Sequence, residues 1–242
     1  DEFSRIFVSH FGKTPHFQRI VEFLAKSGFG NRDQIMKHLD INSGGRLSTF
    51  LDDLELSGFI EAYTPCDNPE STHLRIYRIA DPYLRFYFRF IAPMRRKVLK
   101  TPGGVPLHLA LPVRKYETWR GLAFEFFCYQ HAPLIADKLK FSAVSYEYGS
   151  WFRRADQQTG AQIDLLFQRA DNVLTLCEVK FKRKVGKEVI KEVERKVDAL
   201  HDFGTHAIEK VLITVTPPSK DLVREGYFSD ILLSEDLFQS GK

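Results

Sequence analysis

Residues 162–181 read QIDLLFQRADNVLTLCEVKF, and their reading decides the fold of the second half of the chain. Two runs rich in Ile, Leu, Val and Phe, 162–169 and 173–181, flank the polar tripeptide Ala170-Asp171-Asn172, the pattern of a β-hairpin. The charged residues inside these runs are the informative ones. Asp164 stands among Ile163, Leu165, Leu166 and Phe167, while Glu178 and Lys180 alternate with Cys177, Val179 and Phe181. Carboxylates are seldom buried without a partner or a cation, so these three groups need each other or an ion. Strand alternation puts Glu178 and Lys180 on one face. A two-residue loop would set Asp164 against Val179, pointing away from Glu178. A three-residue loop sets Asp164 against Glu178 instead, and Asn172 tolerates the left-handed backbone such a loop uses. An odd-length loop or a bulge is therefore expected, since one residue of slip would scatter the set.

Outward from the hairpin, residues 119–130 form an expected helix carrying Trp119, Leu122, Ala123, Phe126 and Phe127, and 144–153 reads as a strand. After the hairpin, residues 187–203 are amphipathic, with Ile190, Val193, Val197 and Leu200 spaced for one helical face. The short apolar run 211–215 is a buried strand, and a last strand or helix–strand pair lies near 228–238. The order α-β-β-β-α-β predicts a mixed sheet flanked by helices, of the α/β or α+β class, over residues 115–242.

The first eighty residues read differently. Thr14-Pro15 opens a helix whose Phe17, Ile20, Val21 and Leu24 share a face; Asn31 caps a second; Ser43 opens a third, carrying Leu47, Phe50, Leu51 and Leu54. Strands at 59–62 and 74–79 follow. Three helices and a β-hairpin over residues 1–80 are the winged-helix arrangement, in which Arg46, Ser48 and Thr49 near the start of the third helix are candidate DNA contacts. Asp52, Asp53 and Glu55 on that helix oppose phosphates, so docking to protein is an equal alternative.

Residues 81–114 comprise an aromatic helix from Asp81-Pro82 and a linker rich in Pro, Gly and basic residues. Tyr83, Phe86, Tyr87 and Phe90, interleaved with Arg85 and Arg89, either stack bases or form core. Residues 81–120 hold nine basic against two acidic residues, a net +7 within a chain of net +4, with Arg95, Arg96 and Lys97 at the centre. That stretch either attracts nucleic acid or is a solvated connector.

With 242 residues, 43% hydrophobic and 27% charged, the chain has room for two globular domains and is too apolar to be disordered. No run is long and apolar enough for a membrane span, and the acidic start lacks a secretion signal. Cys66, Cys128 and Cys177 suit neither a disulfide framework nor a zinc ribbon, which points to a reducing, cytoplasmic setting. Gly12-Lys13-Thr14 lacks the earlier glycine of a phosphate loop, Phe7 standing in its place.

Asp164, thirteen residues, Glu178-x-Lys180, after a helix bearing Glu125, resembles the PD-(D/E)XK nuclease superfamily. The resemblance implies that Asp164, Glu178 and the Val179 backbone carbonyl hold Mg²⁺ (or Mn²⁺), and that Lys180 orients or deprotonates the attacking water. It also implies that Glu125 completes the metal site. Lys182, Arg183, Lys184, Lys187, Lys191 and Arg195 would hold the nucleic acid, DNA foremost. More widely, LDDLELSGFI, YRIADPYLRFYFRFI, GLAFEFFCYQHAPLI and the hairpin itself are similar to the C-terminal half of a prokaryotic AAA+-type ATPase family, whose ATPase part is missing here. The expected function is then a Mg²⁺-dependent nuclease, and the alternative a non-catalytic module that regulates an ATPase domain or subunit.

Overall fold

In a computed structural model the described residues are 5, 7, 9, 14–41, 45–64, 75–94, 112–153, 161–200 and 203–239. They divide into two compact units, with the boundary between Pro112 and Val113.

In the first unit, helices α1 (Pro15–Ser27), α2 (Arg32–Leu39) and α3 (Gly45–Leu56) accompany an antiparallel sheet of order β1-β3-β2, with β1 Gly30–Asn31, β2 Ile60–Tyr63 and β3 Ile76–Ile79. Asn31 caps α2 reciprocally: its side chain accepts from the Gln34 amide, and its own amide donates to the Gln34 side chain. Ser43 and the Pro/Gly linker lie outside the described residues. The expected apolar faces of α1 and α3 are all buried. Helix α4 (Pro82–Phe86) starts at Asp81, whose carboxylate accepts from the Tyr83 and Leu84 amides, and continues as a π-helical turn, Tyr87–Ile91. Tyr87 and Phe88 belong to the same apolar cluster as Ile20, Leu51 and Ile79. The aromatic segment thus contributes to the core of the first unit, although Tyr83 stays exposed.

The second unit is a mixed α/β layer structure with helices on both faces of a five-stranded sheet. Its sheet order is β4-β5-β6-β7-β8, with β4 Tyr146–Arg153, β5 Ala161–Arg169, β6 Val173–Lys180, β7 Ala207–Thr214 and β8 Asp230–Leu233. The first three strands are antiparallel neighbours, and β6, β7 and β8 run parallel. The parallel pairs need crossovers, supplied by α7 (Glu188–Ala199) and α8 (Lys220–Arg224). Helices α5 (Val113–Gln130) and α6 (Ala132–Lys138) precede the sheet; α6 has no counterpart in the sequence reading. Side chains alternate between the faces. Leu165, Phe167, Cys177, Val179, Val211 and Ile213 pack with Phe124, Cys128 and Ile135 of α5 and α6. Leu166, Leu174, Leu176 and Leu212 pack with Val189 and Val193 of α7.

Within α5 the buried residues are Phe124, Phe126 and Cys128; of the residues expected to carry the helix, Phe126 is buried while Leu122 is exposed. Cys128 and Cys177 are buried free thiols, both pushed up by that burial.

The hairpin register is the one the site requires. Leu165 pairs with Cys177 and Gln168 with Leu174, which leaves Ala170, Asp171 and Asn172 as a three-residue loop with Asn172 at φ 62°. Arg169 locks it: its guanidinium donates to Asp171 at 3.1 and 2.5 Å and to Glu209 at 2.8 Å, and lies 4.7 Å from the centre of the Phe141 ring. Because Asn172 holds a left-handed backbone, Asn172→Val should destabilise this unit by about 1–2 kcal/mol, and Asn172→Gly should stay within about 0.5 kcal/mol of the parent. Urea unfolding followed by tryptophan fluorescence reads it out, since Trp119 and Trp151 both belong to this unit. Equal midpoints for the two variants would show that the turn does not constrain the hairpin.

Candidate active site

One step beyond the Leu165–Cys177 pair, the register brings Asp164 opposite Glu178. Toward its other neighbour β5 is irregular: Gly149 pairs with Leu166 but Trp151 with Ile163, so Ser150 alone stands opposite Asp164 and Leu165. This is a bulge, and it re-aims side chains locally. Ile163 turns to the same face as Leu166, although three residues of regular strand would set them on opposite faces. The buried Ser150 hydroxyl donates to the Asp164 carbonyl at 3.1 Å and so satisfies the bulged backbone.

Glu178 is fully buried in the middle of β6. Two ammonium groups compensate it. Lys180, two residues on and on the same face, lies 2.6 Å from Oε1, and Lys196 of α7 donates to Oε2 at 2.6 Å. The Lys180 contact lacks hydrogen-bond alignment, so Oε1 has a charge beside it but no directed donor. Lys196 also lies 3.9 Å from Asp164 Oδ2, between the two carboxylates. Lys180 reaches Glu192 of α7 at 2.5 Å. The chain is therefore Asp164–Lys196–Glu178–Lys180–Glu192, acid and base alternating.

Glu125 on α5 is close enough to feel all four inner charges. Burial and the Asp164 charge push its carboxyl up to about 7. Burial pushes Asp164 up to about 6, against the lowering pull of Lys196 and with Glu178 adding to the rise. Burial works to lower Lys180, but Glu178 and Glu192 outweigh it and hold the ammonium well above its ordinary range. For Glu192, burial is outweighed by the Lys180 hydrogen bond, and the carboxyl is lowered. A lysine held this firmly as an ammonium can orient or donate at neutral pH.

The structure thus brings together Asp164, Glu178, Lys180 and Glu125. The Val179 side chain points to the α5 face, and its backbone pairs with Ile213 of β7. Lys182, Arg183, Lys184, Lys187, Lys191 and Arg195 are exposed, Lys187 pairing with Glu225. Arg46 and Thr49 are exposed and Ser48 half-buried on α3 of the other unit. Arg95, Arg96 and Lys97 lie outside the described residues. The sequence reading missed Lys196 and Glu192. Of the expected stripe Ile190, Val193, Val197 and Leu200, Val193 and Leu200 are buried and Ile190 and Val197 only partly so; Val189 and Ala199 join the buried face, and Lys196 falls within it. Among the described residues no three Asp, Glu, His or Cys side chains close around one point as a metal cage. None of the described helices is long and apolar enough to cross a membrane.

No protein-family model matches the sequence, and no curated protein does. Among solved structures the chain is similar to Can2 from Sulfobacillus thermosulfidooxidans in complex with cyclic tetra-adenylate, at 12% identity and a TM-score of 0.29. The match covers 98% of this chain and 53% of that one, so the chain spans about half the length of Can2. A likeness at that level bears on no residue of the site.

The raised carboxyls have a consequence for stability. Asp164 and Glu125 titrate about 6 and 7 when folded, above their unfolded values, so the fold favours their protonated forms. Their contribution is complete below about pH 4 and is lost as pH rises through those values. In metal-free buffer the urea midpoint of the second unit should therefore fall between about pH 5 and about pH 8. Asp164→Asn with Glu125→Gln should flatten that fall. A slope unchanged by the double substitution would place the titration elsewhere.

Proposed function

We propose that the second unit is a PD-(D/E)XK nuclease domain that hydrolyses phosphodiesters with Mg²⁺ or Mn²⁺. The observation that supports it most is the pairing of Asp164 with Glu178 on one hairpin, with Lys180 beside them and a cation, the Lys196 ammonium, already between the two carboxylates. All-oxygen donors suit a hard dication, and Glu178 Oε1 has no directed donor of its own. Asp164 and Glu178 would hold the ion, with the Val179 carbonyl as a third oxygen. The bound ion would supply Lewis-acid stabilisation of charge on the scissile phosphate. Lys180 stays an ammonium, steadied by Glu192, and donates to a phosphate oxygen or to the attacking water. Lys196 would have to give up its place between the two carboxylates for the ion to sit there. The winged-helix reading of the first unit belongs to the same proposal, with Arg46, Ser48 and Thr49 on α3 as nucleic-acid contacts.

A second reading is favoured by the closure of the ion-pair chain: with Lys196 left in place, the unit is a binding module. On the sequence strings alone, its partner is then an AAA+-type ATPase.

Two measurements separate these readings. Supercoiled plasmid and single-stranded DNA, incubated with Mg²⁺ or Mn²⁺, should be cut by the wild-type chain. Asp164→Asn and Lys180→Ala should each cut at least about 100-fold more slowly. Equal cutting by all three proteins would mean a contaminant and refute the assignment. If a dication displaces Lys196, Lys196→Met should show a larger metal-induced rise in melting temperature than wild type, because the ion then meets no resident charge. A smaller rise in that variant would mean that Lys196 helps to bind the ion.

A further inference from the structure

Beside the carboxylate cluster, the segments that leave β6 and β7 enclose a cavity of about 570 Å³ with one wall of α5. Its lining is Glu117 and Arg120 from α5, Phe181, Lys182 and Arg183 directly after β6, and Val215 and Thr216 directly after β7. The carboxyl ends of parallel strands are where open α/β sheets take their ligands, and the volume suits a ligand of small-molecule size. The two strand ends are tied, since the Thr216 hydroxyl donates to the Lys182 carbonyl at 2.9 Å.

The charge in this cavity is only partly engaged by the protein: Arg120 lies over the Tyr116 and Phe181 rings, and Lys182 acts on Glu188 and Glu192 without a direct ion pair. Among the described residues, no acidic group forms an ion pair with Arg120, Lys182 or Arg183, whereas Lys180 and Lys196 nearby are fully engaged. Among the described residues of the lining, Glu117 is the one carboxylate beside these three cations. The cavity also has an aromatic wall. Phe181 is held edge-on by Phe124, with ring centres 5.7 Å apart, and the Arg120 guanidinium lies 4.4 Å from the Phe181 ring centre. A planar cation on an aromatic face is a surface on which a nucleobase stacks, and the neighbouring cations suit a phosphate.

Strand alternation fixes where this surface lies. Glu178 and Lys180 face α7, while Phe181 packs with the α5-side core. A nucleic acid strand crossing the end of β6 meets Glu178 on one side and the cavity, from Phe181, on the other, three residues apart in sequence.

We propose that this cavity binds one unpaired nucleotide of a single strand, its base against Phe181 and Arg120 and its phosphate on Lys182 and Arg183, adjoining the scissile position. It rests on the nuclease reading for what lies next door, but it is tested without cleavage. Fluorescence anisotropy of the full chain, in EDTA, with a labelled oligothymidylate, its RNA counterpart and a blunt duplex supplies the readout. Wild type should bind either single strand tighter than the duplex. Arg183→Ala with Lys182→Ala, both exposed, should weaken single-strand binding about 10-fold or more, and should flatten the salt dependence by roughly 0.7 per lost contact. Phe181→Leu, checked for an unchanged tryptophan unfolding curve, should weaken it by about 5–100-fold. Single-strand affinity indifferent to all three substitutions overturns the proposal, as does equal loss of duplex binding in Phe181→Leu. The two claims can fail separately. Cutting that survives alongside cavity-independent binding sinks only the cavity; cavity-dependent binding without any cutting sinks only the nuclease.

Discussion

A carboxylate buried in the middle of a β-strand is the constraint around which the second unit is arranged. Moving Glu178 out of water costs several kcal/mol, and attraction to partners offsets that cost only when they sit close and in place. Lys180 and Lys196 do so at 2.6 Å each. The first comes at no topological expense, because strand alternation delivers it. The second requires that α7 cross the sheet with Lys196 turned inward. The incomplete burial of the expected apolar stripe follows: the charge that must be met outweighs the burial of Ile190 and Val197, which remain only partly covered.

The same constraint reaches β5. Asp164 must stand opposite Glu178 while its strand also pairs with β4, and the two neighbours disagree by one residue. The bulge opposite Ser150 absorbs that residue, and the serine hydroxyl takes the carbonyl that the ladder cannot. A hairpin of fixed loop length on one side and a bulge on the other leave Asp164 a single register in which its strand is paired on both edges.

This explains which parts of the structure were legible in the sequence. The three-residue loop, the left-handed Asn172 and the opposition of Asp164 to Glu178 follow from strand periodicity and turn chemistry, which are local. The helices of the first unit were legible for the same reason, having clean apolar faces and, for α2, the Asn31 cap, although Thr14 makes no side-chain capping bond to α1. Lys196 was not, because a helix stripe chosen by hydrophobicity excludes the one charged residue that belongs to it. The readable signal was the spacing Val189, Val193, Lys196, Leu200, which fits the helical period as well as the apolar choice does. The buried face of α5 was legible only in part, since a helix with aromatics on most sides has no single stripe to find.

Charge signs along the end of β6 bear on how such a site handles a polyanion. A cluster containing Asp164, Glu178, Glu125 and Glu192 repels phosphate, and among the described residues the lysines in direct contact with it are Lys180 and Lys196. Those two are pinned by the carboxylates themselves. Attraction must come from cations that are not so engaged, and these begin immediately beyond Lys180, at Lys182 and Arg183, with Arg120 facing them from α5. The sequence Glu-Val-Lys-Phe-Lys-Arg at residues 178–183 thus passes from an inward-facing carboxylate to outward-facing cations within six residues. Burial grades the separation: the Glu178 side chain is 1% exposed and that of Lys180 16%, whereas Lys182 and Arg183 are exposed. On the proposed reading, a phosphate drawn to Lys182 and Arg183 would be held at the edge of the buried carboxylates without having to enter among them.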